Sequence, residues 1–198
     1  MSQLSRGMGF VAFVAVLSAG SAHSQERSGS TRVDPTRVNR DALVLQDFQQ
    51  RVRKYVELHK RAAKKSLPLK ETTDSAKIKA AQQVLADTIQ AARKGARPGD
   101  IFTPEIRKKF RQLMYPELKG PDGRETKAWI KEDAPTAVPL KVNAHYPEAQ
   151  PLSTVPPNLL ERLPQLPEEV EYRIAGTHLL LRDVDANLIV DYVPNAIQ

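Results

Sequence analysis

Cysteine is absent from the 198 residues. Without a thiol there is no disulfide scaffold, no Cys-based zinc site, no thiol nucleophile and no lipid-modified cysteine. Aromatic residues make up only 6% of the chain, so the stacking platforms that interleave with cations in single-strand binders are missing. Histidine is scarce as well. Beyond residue 25 there are only His59, His145 and His178, and no two of them stand at i, i+4 spacing. A zinc site built from histidine alone would need all three to converge. No G-x-S-x-G elbow surrounds Ser153, and neither a P-loop nor a dinucleotide fingerprint occurs. No catalytic constellation is expected, and neither a cofactor nor a metal is called for.

Long hydrophobic runs are also lacking, with one exception at the start. Residues 8–20 form an apolar stretch, preceded by Arg6 and followed by small residues at Ala22 and Ser24. This is the pattern of a secretory signal peptide over 1–24, with cleavage before Gln25. The stretch is shorter than the roughly 20 apolar residues that span a bilayer. A periplasmic or secreted protein of bacterial type is therefore expected, with no transmembrane span after cleavage.

What the chain has in plenty is positive charge, and it is unevenly placed. Thirty basic residues face 23 acidic ones, a formal +7. From 25 to 115 there are 21 basic and 10 acidic residues; from 116 to 198 there are 8 and 13. The +7 thus combines a +11 half with a −5 half. Residues 25–40 are polar and too poor in apolar side chains to offset their ordering entropy, which predicts a disordered arm. Leu45, Phe48, Val52, Tyr55, His59 and Ala62 recur at three and four, which predicts a helix from 41 to about 65. Its other face carries Arg51, Arg53, Lys54, Lys60, Arg61, Lys64 and Lys65 against Glu57. A second helix is expected from about 74 to 93, with Ile78, Ala81, Leu85, Thr88 or Ile89, and Ala92 inward and Gly95 ending it. Thr103-Pro104-Glu105 starts a third.

After residue 115 the chain changes. Ten prolines fall within 116–167 and predict a fragmented connector without long helices. A short helix over 122–133, an edge strand over 138–144 and a turn or two of helix over 158–163 are expected there. Residues 168–198 read as a β meander: strands at 169–175, 178–183 and 187–193, separated by tight turns at 176–177 and 184–186. The fold class expected is α+β: an N-terminal helical hairpin plus a third helix (41–115), a Pro-rich connector, and a C-terminal antiparallel sheet of three or four strands.

The C-terminal segment, with its Pro-rich lead-in, the Tyr172-Arg173 strand, the apolar strand 178–183 and the closing Leu188-Ile189-Val190-Asp191, resembles small uncharacterised exported bacterial proteins. More distantly it is similar to the C-terminal domain of periplasmic nickel/cobalt-homeostasis proteins. The resemblance implies a small β-rich export module. It also implies, as an alternative function, a periplasmic metal-handling protein, though it places no metal ligand on this chain.

Candidate sites remain few. Asp183, Asp185 and Asn187, with Asp191 beyond, alternate like the oxygens that open a calcium loop. Leu188 stands where that loop needs glycine and Pro194 where it needs a bidentate glutamate, so a plain hairpin turn is expected. Paired with His178 or His145, Asp183 and Asp185 would make the dispersed site of an exported hydrolase. Trp129 and Tyr146 are expected to pack between the Pro-rich pieces. The cationic face of the first helix is the feature most suggestive of binding, its expected partner an anionic envelope surface or an acidic protein. Nucleic acid is disfavoured by export.

Overall fold

A computed structural model describes residues 35–65, 73–134 and 138–198, with side chains from residue 39 onward. The expected signal peptide and most of the expected arm lie outside the described residues.

Among the described residues five helices precede three strands: α1 (Pro35–Lys65), α2 (Ser75–Ala92), α3 (Pro104–Lys119), α4 (Gly123–Asp133), α5 (Pro157–Leu160), β1 (Val170–Ala175), β2 (His178–Asp183) and β3 (Ile189–Val193). The α+β class follows. Helix α1 begins six residues before the expected start at 41. Pro35 sits at its first position, where a missing N–H costs nothing and the fixed φ favours a helix. Asp74 caps α2, its Oδ1 accepting from the amides of Ala76 (3.0 Å) and Lys77 (3.4 Å). Thr103 caps α3, its Oγ1 accepting from the Ile106 amide at 3.4 Å. Each cap contributes about 1 kcal/mol.

The connector is more helical than its prolines predict. Helix α3 runs through Pro116 to Lys119 although the proline withdraws its own amide from the ladder, and the Gly120 amide closes the end on Pro116 C=O at 2.9 Å. Helix α4 matches the short helix expected at 122–133. No strand forms over 138–144. Instead Asn143 N–H donates to Ile189 C=O (2.7 Å), Ile189 N–H to Ala144 C=O (2.8 Å) and Tyr146 N–H to Asn187 C=O (2.9 Å). These bonds meet the chain at the start of β3, where His145 makes one isolated antiparallel bridge to Leu188. Trp129 is 42% exposed on α4 rather than packed, whereas Tyr146 is buried as expected, its hydroxyl donating to Pro151 C=O at 2.7 Å.

The sheet is antiparallel in the order β1-β2-β3. Gly176, with φ +56°, and Thr177 close the β1–β2 hairpin. A positive φ at the first of two loop residues is the type II′ pattern, which glycine adopts without strain. The sheet is covered on both faces. Val170, Tyr172, Ile174, Leu179, Leu181, Val190 and Val193 join the helices in the main core, while Ala175, Leu180 and Ile189 pack with Tyr146, Val138 and Leu140. That is why β2 reads as an unbroken apolar run instead of alternating.

Phe48, Phe102 and Phe110 meet at centroid distances of 4.8–5.5 Å, and Phe110 reaches Tyr172 of β1 at 6.1 Å. Four of the aromatics therefore meet where α1, α3 and the sheet come together. Residues Asp34–Gln198 form one compact unit, so the basic and acidic halves share a core.

Candidate functional site

Helix α1 has two faces with different chemistry. Its inner face buries Phe48, Val52, Tyr55, Val56, His59 and Ala62, close to the stripe read from the sequence. Two of these side chains carry polar tips, and both tips meet one carboxylate. The Tyr55 hydroxyl donates to Asp183 Oδ2 at 2.6 Å, and His59 Nδ1 lies 2.7 Å from the same oxygen. Asp183 Oδ1 accepts from the Ala186 amide at 2.7 Å. Asp183 has no solvent exposure. It ends β2, and the turn after it folds the Ala186 amide back onto it.

His59 stands between two carboxylates. Its Nε2 lies 3.4 Å from Asp185 Oδ2, which is 63% exposed. The hydrogen bond to Asp183 raises the His59 pKa above its ordinary value, against the opposing effect of burial, with help from the charges of Asp183, Asp185 and Glu169. A ring with an acceptor at each nitrogen is arranged as an imidazolium, which donates from both. Burial, followed by the charge of Asp183, pushes the Tyr55 phenol far above its usual range, so it acts only as a donor. The Arg93 guanidinium stacks 5.0 Å from the Tyr55 ring centroid and donates to Val190 C=O at 3.1 Å. Beside this cluster, Lys60 Nζ sits 2.8 Å from Glu169 Oε1. The hydrogen bond from Lys60 holds the Glu169 carboxyl below its usual range.

The Asp–His pair lacks the third member of a nucleophilic triad. The far nitrogen of His59 meets Asp185 rather than a hydroxyl, and neither described cavity is lined by His59 or Asp183. The arrangement fastens α1 to the β2–β3 turn. A second carboxylate does the same nearby. Asp191, also without exposure, accepts from the amides of Gly99 (3.0 Å), Ile101 (2.8 Å) and Phe102 (2.8 Å). Gly99 has φ +103°, a conformation open to glycine and rare for other residues, and this aims its amide at the carboxylate.

The oxygens considered for calcium are thus engaged by protein donors. Asn187 accepts from Arg182 Nε at 2.9 Å and donates to Tyr146 C=O at 3.0 Å. Its φ of +51° closes the turn. Among the described residues, no group of three or more His, Asp or Glu is placed to hold a metal ion. His178 and His145, the histidines expected beside the Asp183–Asp185 pair, have other partners. His178 begins β2, at the opposite end from Asp183, and its Nδ1 accepts from the Asn195 amide at 3.2 Å. His145 Nε2 lies 3.4 Å from Gln83 Nε2. His59, the histidine that does meet Asp183, stands on the core stripe by its spacing. Tyr55 and His59 at i, i+4 on that stripe were the available signal, since buried polar tips require partners.

The outer face of α1 carries the cations. Arg51 is drawn inward, pairing with Asp47 at 3.0 Å and donating to Asp100 C=O at 2.8 Å. Lys60 is held by Glu169. Arg53, Lys54, Arg61, Lys64 and Lys65 are exposed, and among the described residues no ion pair engages them. At 100° per residue they occupy the arc opposite the buried stripe.

No protein-family model, curated protein or solved structure matches this chain. Among the described residues no helix is long and apolar enough to cross a membrane.

Proposed function

We propose that this protein is a non-enzymatic exported accessory protein that binds an anionic envelope surface or an acidic protein partner through the outer face of α1. One observation carries the reading. Arg53, Lys54, Arg61, Lys64 and Lys65 stand together on an exposed helix face where Glu57 is the one acid of α1 among them, and among the described residues no ion pair engages them. The acidic half reaches across to only a few cations, as in the pairs Lys60–Glu169 and Lys79–Glu148, and leaves this face to solvent. Export rests on the N-terminal pattern of 1–24 and the predicted cleavage before Gln25. The rigid attachment of α1 through Tyr55, His59 and Asp183 keeps the cations in a fixed array, which supports recognition of a charged surface.

The test is cosedimentation with vesicles containing phosphatidylglycerol, against phosphatidylcholine alone. Retention is expected on the anionic vesicles at low salt. It should vanish near 1 M salt, where the Debye length is about 3 Å. Replacing Arg53, Arg61 and Lys64 by Glu together should weaken binding by about tenfold or more, since each cation near an anionic surface contributes about 1 kcal/mol. Retention that ignores salt, or no retention on either vesicles or isolated envelope fractions, would reject the proposal.

A further inference from the structure

Two adjoining hollows run from the outer side of α1 toward the sheet. The first, of about 340 Å³, is lined by Phe48, Val52 and Arg53 of α1 and by Gln165, Leu166 and Pro167. The second, of about 540 Å³, shares Gln165 and Leu166 and continues to Val155, Leu160, Leu163 and Tyr172. Each is within the range of small-molecule sites, about 300–1,000 Å³. Leu160 is 49% exposed in the second hollow, and Leu166 is half-buried where the two meet.

The walls offer hydrocarbon, and their polar groups are already engaged. The Tyr172 hydroxyl donates to Pro164 C=O at 3.1 Å. Glu171, the one carboxylate in the lining, is held by Arg173 at 2.6 Å and by Arg182. The Thr154 amide donates to Asp133 at 3.2 Å. Val170, Tyr172 and Ile174 are buried, so β1 gives a peptide no strand edge to pair with. An occupant that needs no hydrogen bonds along its length suits such walls, and a hydrocarbon chain is one. Arg53 breaks the pattern at the α1 end. It is exposed, and no ion pair engages it among the described residues. Lys54 stands beside it and Glu57 one turn on, which leaves positive charge in excess at this end. Apolar walls with a cation at one end complement a chain with one anionic head.

We infer that the two hollows together hold a single-chain anionic amphiphile of the fatty-acid class, its chain over Leu166 and Leu160 and its head group against Arg53. The inference deepens the reading of α1 as a face for anionic surfaces, and it uses that face through Arg53 alone.

The test follows the leucine methyl signals of the chain from Gln25 onward by NMR, during titration with dodecanoate below its micelle concentration. Saturable shifts are expected at Leu160, Leu163 and Leu166. Octanoate should bind at least about tenfold more weakly, since each fully buried methylene is worth about fourfold. Arg53→Gln should weaken dodecanoate by about fivefold and leave dodecyl maltoside, which has a neutral head, unchanged. Leu160→Glu places a charge on an exposed position in the groove and should weaken both amphiphiles by tenfold or more. Absence of shifts at these leucines, or equal affinity for octanoate and dodecanoate, would overturn the inference even if Leu160→Glu failed to fold. Equal loss of dodecanoate and dodecyl maltoside in Arg53→Gln would overturn the placement of the head group. Retention on phosphatidylglycerol vesicles without any response to dodecanoate would reject the groove and leave the surface reading standing. Chain-length-dependent binding of dodecanoate without retention on vesicles or envelope fractions would do the reverse.

Discussion

Replacing Asp183 by Ala removes the acceptor on which two elements converge. The Tyr55 hydroxyl, His59 Nδ1 and the Ala186 amide all lose their partner, in a place where Asp183 has no exposure and Tyr55 and His59 have 4% and 3%. Water cannot easily replace it. Breaking a buried charged pair by deleting one partner costs about 3–5 kcal/mol, consistent with about 1–3 kcal/mol for each buried group left unsatisfied. For a chain of this size each kcal/mol moves Tm by about 2–4 °C, so a fall of roughly 6–20 °C is expected. The assay is thermal unfolding followed by far-UV circular dichroism at pH 6. The matched control is Asp185→Ala on the same turn, whose carboxylate is 63% exposed and should cost less than about 1 kcal/mol. The pH dependence supplies a second readout. His59 is raised by its bond to Asp183, so its contribution is complete below the unfolded value of about 6.5 and is lost as pH rises through the higher folded value. The unmodified protein should lose stability across that window, and Asp183→Ala should lose much less. A variant within about 1 kcal/mol of the unmodified protein, or an Asp185→Ala of equal cost, would refute the clamp.

Asp191→Ala should destabilise by about 2–4 kcal/mol, because it strands the amides of Gly99, Ile101 and Phe102; urea unfolding measures it. Gly123→Ala should cost more than a helix substitution normally does. A Cβ there would come within 2.4 Å of the Leu118 carbonyl oxygen, so the α3–α4 turn must shift, and calorimetry should show a lower Tm. Trp129→Ala should change stability by less than about 1 kcal/mol, since the ring is 42% exposed; a fall as large as that of a core aromatic would show that the ring is covered.

The helices and strands were legible because their signals are local. Apolar spacing on α1, the Thr103-Pro104-Glu105 start of α3 and the Gly176-Thr177 hairpin each act within a few residues. Prolines misled because their number alone does not break a helix: α3 runs through Pro116. The edge strand expected at 138–144 is an irregular segment, because its partner bonds are spaced by turns and not by a ladder. The candidate site was half legible. The cations of α1 could be read directly, but Arg51 and Lys60 turned out to be held internally.

Composition and spacing by themselves determined the class of chemistry available, the α-then-β order, the inner and outer faces of α1 and the charge split between halves. They did so because residue type and local periodicity need no long-range partner. Only the tertiary structure decided what the polar side chains do. Asp183 meets Tyr55 and His59 across more than 120 residues of chain, and Asp191 gathers amides from the α2–α3 loop. These depend on which surfaces the shared core brings together, and no local pattern records that. The same core shows why the two charged halves coexist. They are joined through buried hydrogen bonds and a common aromatic cluster, with few of the basic charges used, so the positive face of α1 remains available.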